Sequence, residues 1–182
     1  MPGRSLNDDK TGDDQVEHVA ASLETKSAAI MPSDAPLPRR IRIFVVDDHP
    51  MVRKGLHMLL NLQPDLQVCG DAAGVSTAKS GILELRPDLV VVDLGLQDGD
   101  GFELLEWLRQ HHPYMKRLVF TLHDDLAYSE RAFKYGAQGY VVKYDGTQEL
   151  IRAIRLVVHN EPYVRSTTVH PERRVAPNGG RR

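Results

Sequence analysis

The chain has 182 residues, of which 41% are hydrophobic and 26% charged, with a formal net charge of −2. That is room for one ordinary domain with tails and a proper core, and the charge excludes a general electrostatic pull toward nucleic acid or an anionic membrane. Cys69, the single cysteine, has no partner for an internal disulfide, and no apolar run approaches the roughly 20 residues that span a bilayer.

Residues 1–40 are rich in Asp, Ser, Pro and Ala and are expected to form a disordered N-terminal tail. Within it Val16, Val19, Ala20 and Leu23 recur at a spacing that fits a short helix over 15–30, before Pro32, Pro36 and Pro38 interrupt any regular element. From Ile41 the pattern changes. Residues 41–47 (IRIFVVD) read as a strand, followed by helical spacing in Val52, Leu56, Leu59 and Leu60. Residues 66–70 (LQVCG) read as a second strand, with Cys69 a small buried hydrophobe on it, and 76–85 as a helix. Residues 88–93 (DLVVVD) are continuous in Leu and Val, as a strand covered on both faces should be. A helix over 102–110, a strand over 117–121, a helix over 126–135, a strand over 138–142 and a last helix over 147–158 complete five βα units. Such alternation predicts an α/β fold with a parallel sheet, in one domain at 41–160. Residues 161–182 follow as a flexible basic tail, with Arg165, Arg173, Arg174, Arg181 and Arg182 scattered among Pro and Gly. Arginines so spaced, without aromatics between them, read as a solvated terminus rather than a nucleic-acid surface.

In a parallel sheet, ligands bind beyond the carboxyl ends of the strands. Here those ends carry Asp47 and Asp48 (first strand), Asp93 (third), Thr121 (fourth) and Lys143 (fifth). If strands one and three are neighbours, three carboxylates, a hydroxyl and an ammonium meet at one edge. Carboxylates so close repel one another, and an oxygen-only set with room for water suits Mg²⁺. Asp93, at the centre, is then a carboxylate nucleophile able to form an acyl phosphate, with Lys143 and Thr121 placed to contact phosphoryl oxygens. Taken singly, each residue has a plain structural role: Asp48 as a helix cap, Thr121 as strand composition, Lys143 as a solvated side chain. Their coincidence at four strand ends is what points to a site. His49 is placed at its mouth and not among the ligands, because Mg²⁺ prefers oxygen.

The stretches VVDDHPMVRKGL (45–56), RPDLVVVDLGLQDGDGFELLEWLR (86–109) and TLHDDLAYSERAFKYGAQGYVVKYD (121–145) resemble the response-regulator receiver family of two-component signalling, in its NarL/FixJ (LuxR-type output) branch. The resemblance implies a flavodoxin-like, doubly wound, five-stranded parallel sheet of order 2-1-3-4-5 with five helices, which makes strands one and three adjacent. It implies Asp93 as phosphoacceptor, and Asp47 and Asp48 as the Mg²⁺-holding pair, with the Gly95 carbonyl as a further ligand. It gives Thr121 and Tyr140 as the switch pair, and Lys143 as the phosphoryl contact. His123, two residues after Thr121, is a candidate for setting the lifetime of the acyl phosphate, with a plain surface histidine as the alternative.

The implied partners are a sensor histidine kinase and a downstream protein or output domain. Part of the apolar stripe on the last helix is a candidate homodimer surface. The implied setting is the cytoplasm, with no membrane contact. The activity implied is self-catalysed phosphotransfer and autodephosphorylation in a signalling domain, not turnover of a small substrate. Two departures stand out. Gln97-Asp98 occupy a loop where the family commonly has proline, and a helix-turn-helix output domain is not expected, since 161–182 lacks the length and apolar periodicity for one. No nucleic acid is therefore expected to bind this chain. An aspartate-nucleophile phosphohydrolase is the competing reading, but it calls for a second acid two residues past the nucleophile, where Gly95 stands. A nucleotide-binding doubly wound domain is disfavoured for want of a glycine-rich phosphate loop.

Overall fold

A computed structural model describes residues 39–164; the helix expected within 15–30 and the arginines from 165 onward lie outside the described residues. The elements are β1 (Ile41–Val46), α1 (Pro50–Asn61), β2 (Leu66–Ala72), α2 (Val75–Leu85), β3 (Leu89–Val92), α3 (Gly101–His111), β4 (Lys116–Thr121), α4 (Leu126–Lys134), β5 (Gly139–Val142), α5 (Thr147–Val158) and β6 (Tyr163–Val164). A single 3₁₀ turn, Lys143–Asp145, joins β5 to α5. All neighbouring strands pair in parallel, in the order β2-β1-β3-β4-β5-β6. The doubly wound α/β architecture and the adjacency of β1 and β3 are as the sequence predicts.

The sheet has six strands rather than five. After α5 the chain turns at Asn160, which takes a left-handed conformation (φ 66°), and Tyr163 and Val164 pair with Gly139 and Tyr140. A two-residue strand is too short to show alternation, and it falls in the stretch read from sequence as a tail. Tyr163 is nevertheless buried. Its side chain faces the α5 layer and its hydroxyl donates to Glu149 Oε1.

Alternation along each strand feeds two cores. Phe44, Val46, Val90 and Val92 pack toward α2, α3 and α4, while Ile43, Val45, Leu89 and Val91 pack toward α1 and α5. β3 is buried at all four positions because both its faces are covered. The apolar stripe of α5 is spent on this core, since Leu150, Ile151, Ala153, Ile154 and Val157 are all buried. Cys69 is a partial exception to expectation. It is half-buried at a bulge between β1 and β2, with its thiol donating to the Ile43 carbonyl at 3.4 Å. Among the described residues no helix is long and apolar enough to cross a membrane.

Candidate functional site

The carboxyl edge of the sheet is set by strand register. Val46 lies opposite Val92, Val92 opposite Val119, and Thr121 opposite Val142. Asp47, Asp93 and Lys143 each stand one residue beyond a paired position. Two backbone bonds hold the first two in place: Asp47 N donates to Ala72 O (3.1 Å), and Asp93 N to Val46 O (2.9 Å). Helix α3 begins directly against this backbone. A Cβ at Gly101 would lie 2.4 Å from the Asp93 carbonyl oxygen, so only glycine lets the helix start there. Asp100 caps α3 by accepting from Phe102 N at 2.9 Å.

The structure brings Asp47, Asp48, Asp93 and Lys143 together, and strand register sets Thr121 at the same edge of the sheet. Lys143 Nζ donates to Asp93 Oδ2 at 2.5 Å and lies 2.7 Å from Asp47 Oδ2. Asp47, Asp93 and Thr121 are buried, and the Lys143 side chain is 10% exposed. Burial alone would pull the Lys143 ammonium below its ordinary pKa; the hydrogen bonds and charges of Asp47 and Asp93 outweigh it and hold the pKa above 10.5. The sequence assigns the relief of carboxylate repulsion to a bound cation, but Lys143 itself supplies part of it. The other Asp93 oxygen, Oδ1, accepts from Gly95 N at 3.2 Å.

One buried polar atom at this edge, Thr121 Oγ1, has no hydrogen-bond partner, while the neighbouring Asp48 Oδ1 has the His49 ring beside it, with Nδ1 at 2.7 Å. An unmet buried hydroxyl of this kind is rare in folded proteins. One donor atom from each of Asp47, Asp48, His49 and Asp93 lies within 4.8 Å of every other. The residues thus fit a divalent cation, and the oxygen set suits Mg²⁺.

Tyr140 is buried, with its hydroxyl donating to the His123 carbonyl at 2.8 Å. Burial, and then the charges of Asp125 and Asp124, push its pKa far up, so it remains a neutral donor. That bond ties β5 to the loop that follows Thr121. The His123 ring stacks flat on Tyr128, with centroids 4.1 Å apart. Two participants escape sequence reasoning. Arg53, one turn into α1, reaches back to the Asp47 carbonyl (2.5 Å) and to Asp71 (2.7 Å). Asp98, in the loop that departs from the family pattern, accepts from Val75 N at 3.2 Å and so caps α2, whose own N-cap is Gly74. No local signal marks the contacts of Arg53 with Asp71 or of Asp98 with Val75, which span 18 and 23 residues. A surface groove of about 900 Å³, lined by residues including Arg40, Arg86, His112 and Lys116, lies elsewhere, and none of the strand-end carboxylates lines it.

The family model described as "Response regulator receiver domain" matches residues 43–155. The oxygen regulatory protein NreC of Staphylococcus epidermidis is 37% identical over 125 residues, which is 68% of this chain and 57% of that protein. The DNA-binding transcriptional activator DevR/DosR of Mycobacterium tuberculosis is 39% identical over 115 residues, 63% of this chain and 53% of that protein. The chain thus spans a little over half the length of these relatives. Among solved structures, a LuxR-family two-component response regulator from Aurantimonas is 36% identical with a TM-score of 0.66, covering 69% of this chain and 89% of that one. The signal receiver domain of the putative response regulator NarL from Mycobacterium tuberculosis is 27% identical with a TM-score of 0.64, covering 67% and 98%.

Proposed function

The chain belongs to the response regulator receiver domain family, in its NarL/LuxR-type branch, and on that premise we propose that it accepts a phosphoryl group on Asp93 and signals by a change of shape. One observation carries this reading. Lys143 bridges Asp47 and Asp93 at a sheet edge that also carries Asp48 and the buried, unpartnered Thr121 Oγ1.

The donor is a phosphohistidine on a sensor histidine kinase. Its P–N bond breaks as a P–O bond forms to the Asp93 carboxylate, and the histidine nitrogen leaves. Asp47, Asp48 and Asp93, with the Gly95 carbonyl, would hold Mg²⁺, which supplies charge compensation for the phosphoryl oxygens. The Gly95 N–H orients Oδ1 of Asp93. Lys143, already 2.5 Å from Oδ2, exchanges a carboxylate for a phosphoryl oxygen at small displacement. Thr121 Oγ1 gains the partner it lacks. Drawing Thr121 inward moves the loop that Tyr140 holds through the His123 carbonyl, so the surface of α4, β5 and α5 changes with it. That surface meets the downstream protein or output domain, and the whole works in the cytoplasm. His123, in the same loop, is our candidate for affecting how long the acyl phosphate lasts before the domain hydrolyses it.

The test is incubation with acetyl phosphate and Mg²⁺, followed by intact mass, for wild type and Asp93→Asn. Gain of one phosphoryl group that needs Mg²⁺ and is lost in the variant is the expected result. Labelling of Asp93→Asn at the wild-type level would overturn the assignment.

A further inference from the structure

Asp47 is tied to the carboxyl end of β2 through both of its backbone groups. Its N–H donates to the Ala72 carbonyl at 3.1 Å. Its own carbonyl accepts from Arg53 Nη1 at 2.5 Å, and Arg53 Nε donates at 2.7 Å to the carboxylate of Asp71, the residue before Ala72. His57 Nε2, one turn further along α1, lies 3.3 Å from the other Asp71 oxygen, so that carboxylate is engaged on both sides. The guanidinium thus joins the end of β1 to the end of β2, and its side chain is only 17% exposed. The carbonyl it grips belongs to the planar peptide unit that also contains the Asp48 N–H. Holding that plane sets the direction in which the chain leaves β1, and hence where both carboxylates project. A planar guanidinium can serve a carbonyl and a carboxylate at once in fixed geometry, which an ammonium on a flexible stem cannot.

We infer that Arg53 is a positioning residue for the Asp47–Asp48 pair, anchored by Asp71, and that it raises the affinity of the phosphoryl-acceptor site for Mg²⁺ by geometry and not by charge. The inference rests on the reading of Asp93 as phosphoacceptor with Mg²⁺ beside it. A positive charge near a dication site opposes binding, so a guanidinium acting only through space would lower Mg²⁺ affinity. Asp71 offsets that charge, and what remains is the hold on the peptide plane. Groups that orient the ligands of a metal typically carry about 10–100-fold of its affinity. Geometry and charge therefore predict opposite signs for the loss of Arg53. Its polar contacts at this edge are with the Asp47 backbone and Asp71, so transfer to Asp93 should run nearly unchanged once Mg²⁺ is saturating.

The experiment uses the full chain as wild type, Arg53→Gln, Arg53→Lys, Asp71→Asn and the Arg53→Gln/Asp71→Asn double variant. It measures Mg²⁺ binding by calorimetry, and acetyl-phosphate labelling by intact mass over a range of Mg²⁺. In Arg53→Gln the Mg²⁺ Kd and the Mg²⁺ needed for half-maximal labelling should both rise about tenfold. The labelling rate at saturating Mg²⁺ should stay within about twofold of wild type. Arg53→Lys keeps the charge but not the fork, and should still bind Mg²⁺ about threefold or more weakly; it carries the test if Arg53→Gln does not fold. Asp71→Asn should weaken Mg²⁺ in the wild-type background but by less than about twofold on top of Arg53→Gln, because the two side chains act as a unit. Mg²⁺ binding that is unchanged or tighter in the Arg53 variants would overturn the inference while leaving the acceptor site in place. So would a lower rate at saturating Mg²⁺ with an unchanged Mg²⁺ requirement. If wild type binds no Mg²⁺ or takes up no phosphoryl group, the reading of Asp93 fails and the inference fails with it.

Discussion

Replacing Lys143 with methionine tests how the carboxylate cluster is held when no divalent cation is present. The ammonium contacts Asp93 at 2.5 Å and Asp47 at 2.7 Å, and its side chain is only 10% exposed. A hydrogen bond to a charged group contributes about 1.5–3 kcal/mol net, and breaking a buried ion pair costs about 3–5 kcal/mol because the partner is left uncompensated. Water reaches Asp93 and Asp47 at the sheet edge once the lysine is gone, which favours the lower end. We expect Lys143→Met to lose about 3 kcal/mol in urea unfolding with EDTA present. Mg²⁺ at 100 times its Kd stabilises a protein that binds it only when folded by about 2.7 kcal/mol. The variant should gain at least as much as wild type, since no ammonium competes for Asp47 and Asp93. The gap between the two proteins therefore narrows as Mg²⁺ is added. A loss below about 1 kcal/mol in EDTA, or a gap that widens with Mg²⁺, would refute this account of the site.

Further outcomes follow from particular contacts. Asp98→Ala removes the oxygen that caps α2 from a distant loop and should cost about 1 kcal/mol in chemical denaturation; no change would mean the cap is idle. Tyr163→Ala empties a buried position against β5 and α5 and should cost about 2–4 kcal/mol, with hydrogen exchange rising selectively in β5. Uniform exchange across the sheet would show that β6 does not guard that edge. Hydrogen bonding to Arg155 holds the Asp65 carboxyl below 3.8, against the smaller effect of burial. The stability it contributes is present above the unfolded value and is lost as pH falls through the lower folded one. Wild type should therefore lose slightly more stability than Asp65→Asn between about pH 5 and 3, and by less than about 1 kcal/mol because the pair is surface-exposed. Parallel pH profiles for the two would remove the pair from the account.

Much of this molecule is legible one residue at a time. The run LVVV of β3 can be covered only on both faces, and five strand-and-helix alternations of that kind leave few topologies. Because register in a parallel sheet brings strand ends together, Asp47, Asp93, Thr121 and Lys143 could be placed at one edge from the sequence alone. Other features depend on partners far away in the chain. Lys143 reaches across 50 residues to neutralise Asp93, Arg53 reaches 18 residues on to Asp71, and Asp98 supplies the cap that Gly74 cannot. β6 has only two residues, too few for periodicity, and forms where Tyr163 pairs with the edge of β5 and is buried in the core on the α5 side. Local propensity and hydrophobic period thus set the elements and their order. Charge compensation, capping from a distance and closure of the sheet edge were decided by tertiary structure, because the free energy of each belongs to a pair of groups that only the fold brings together.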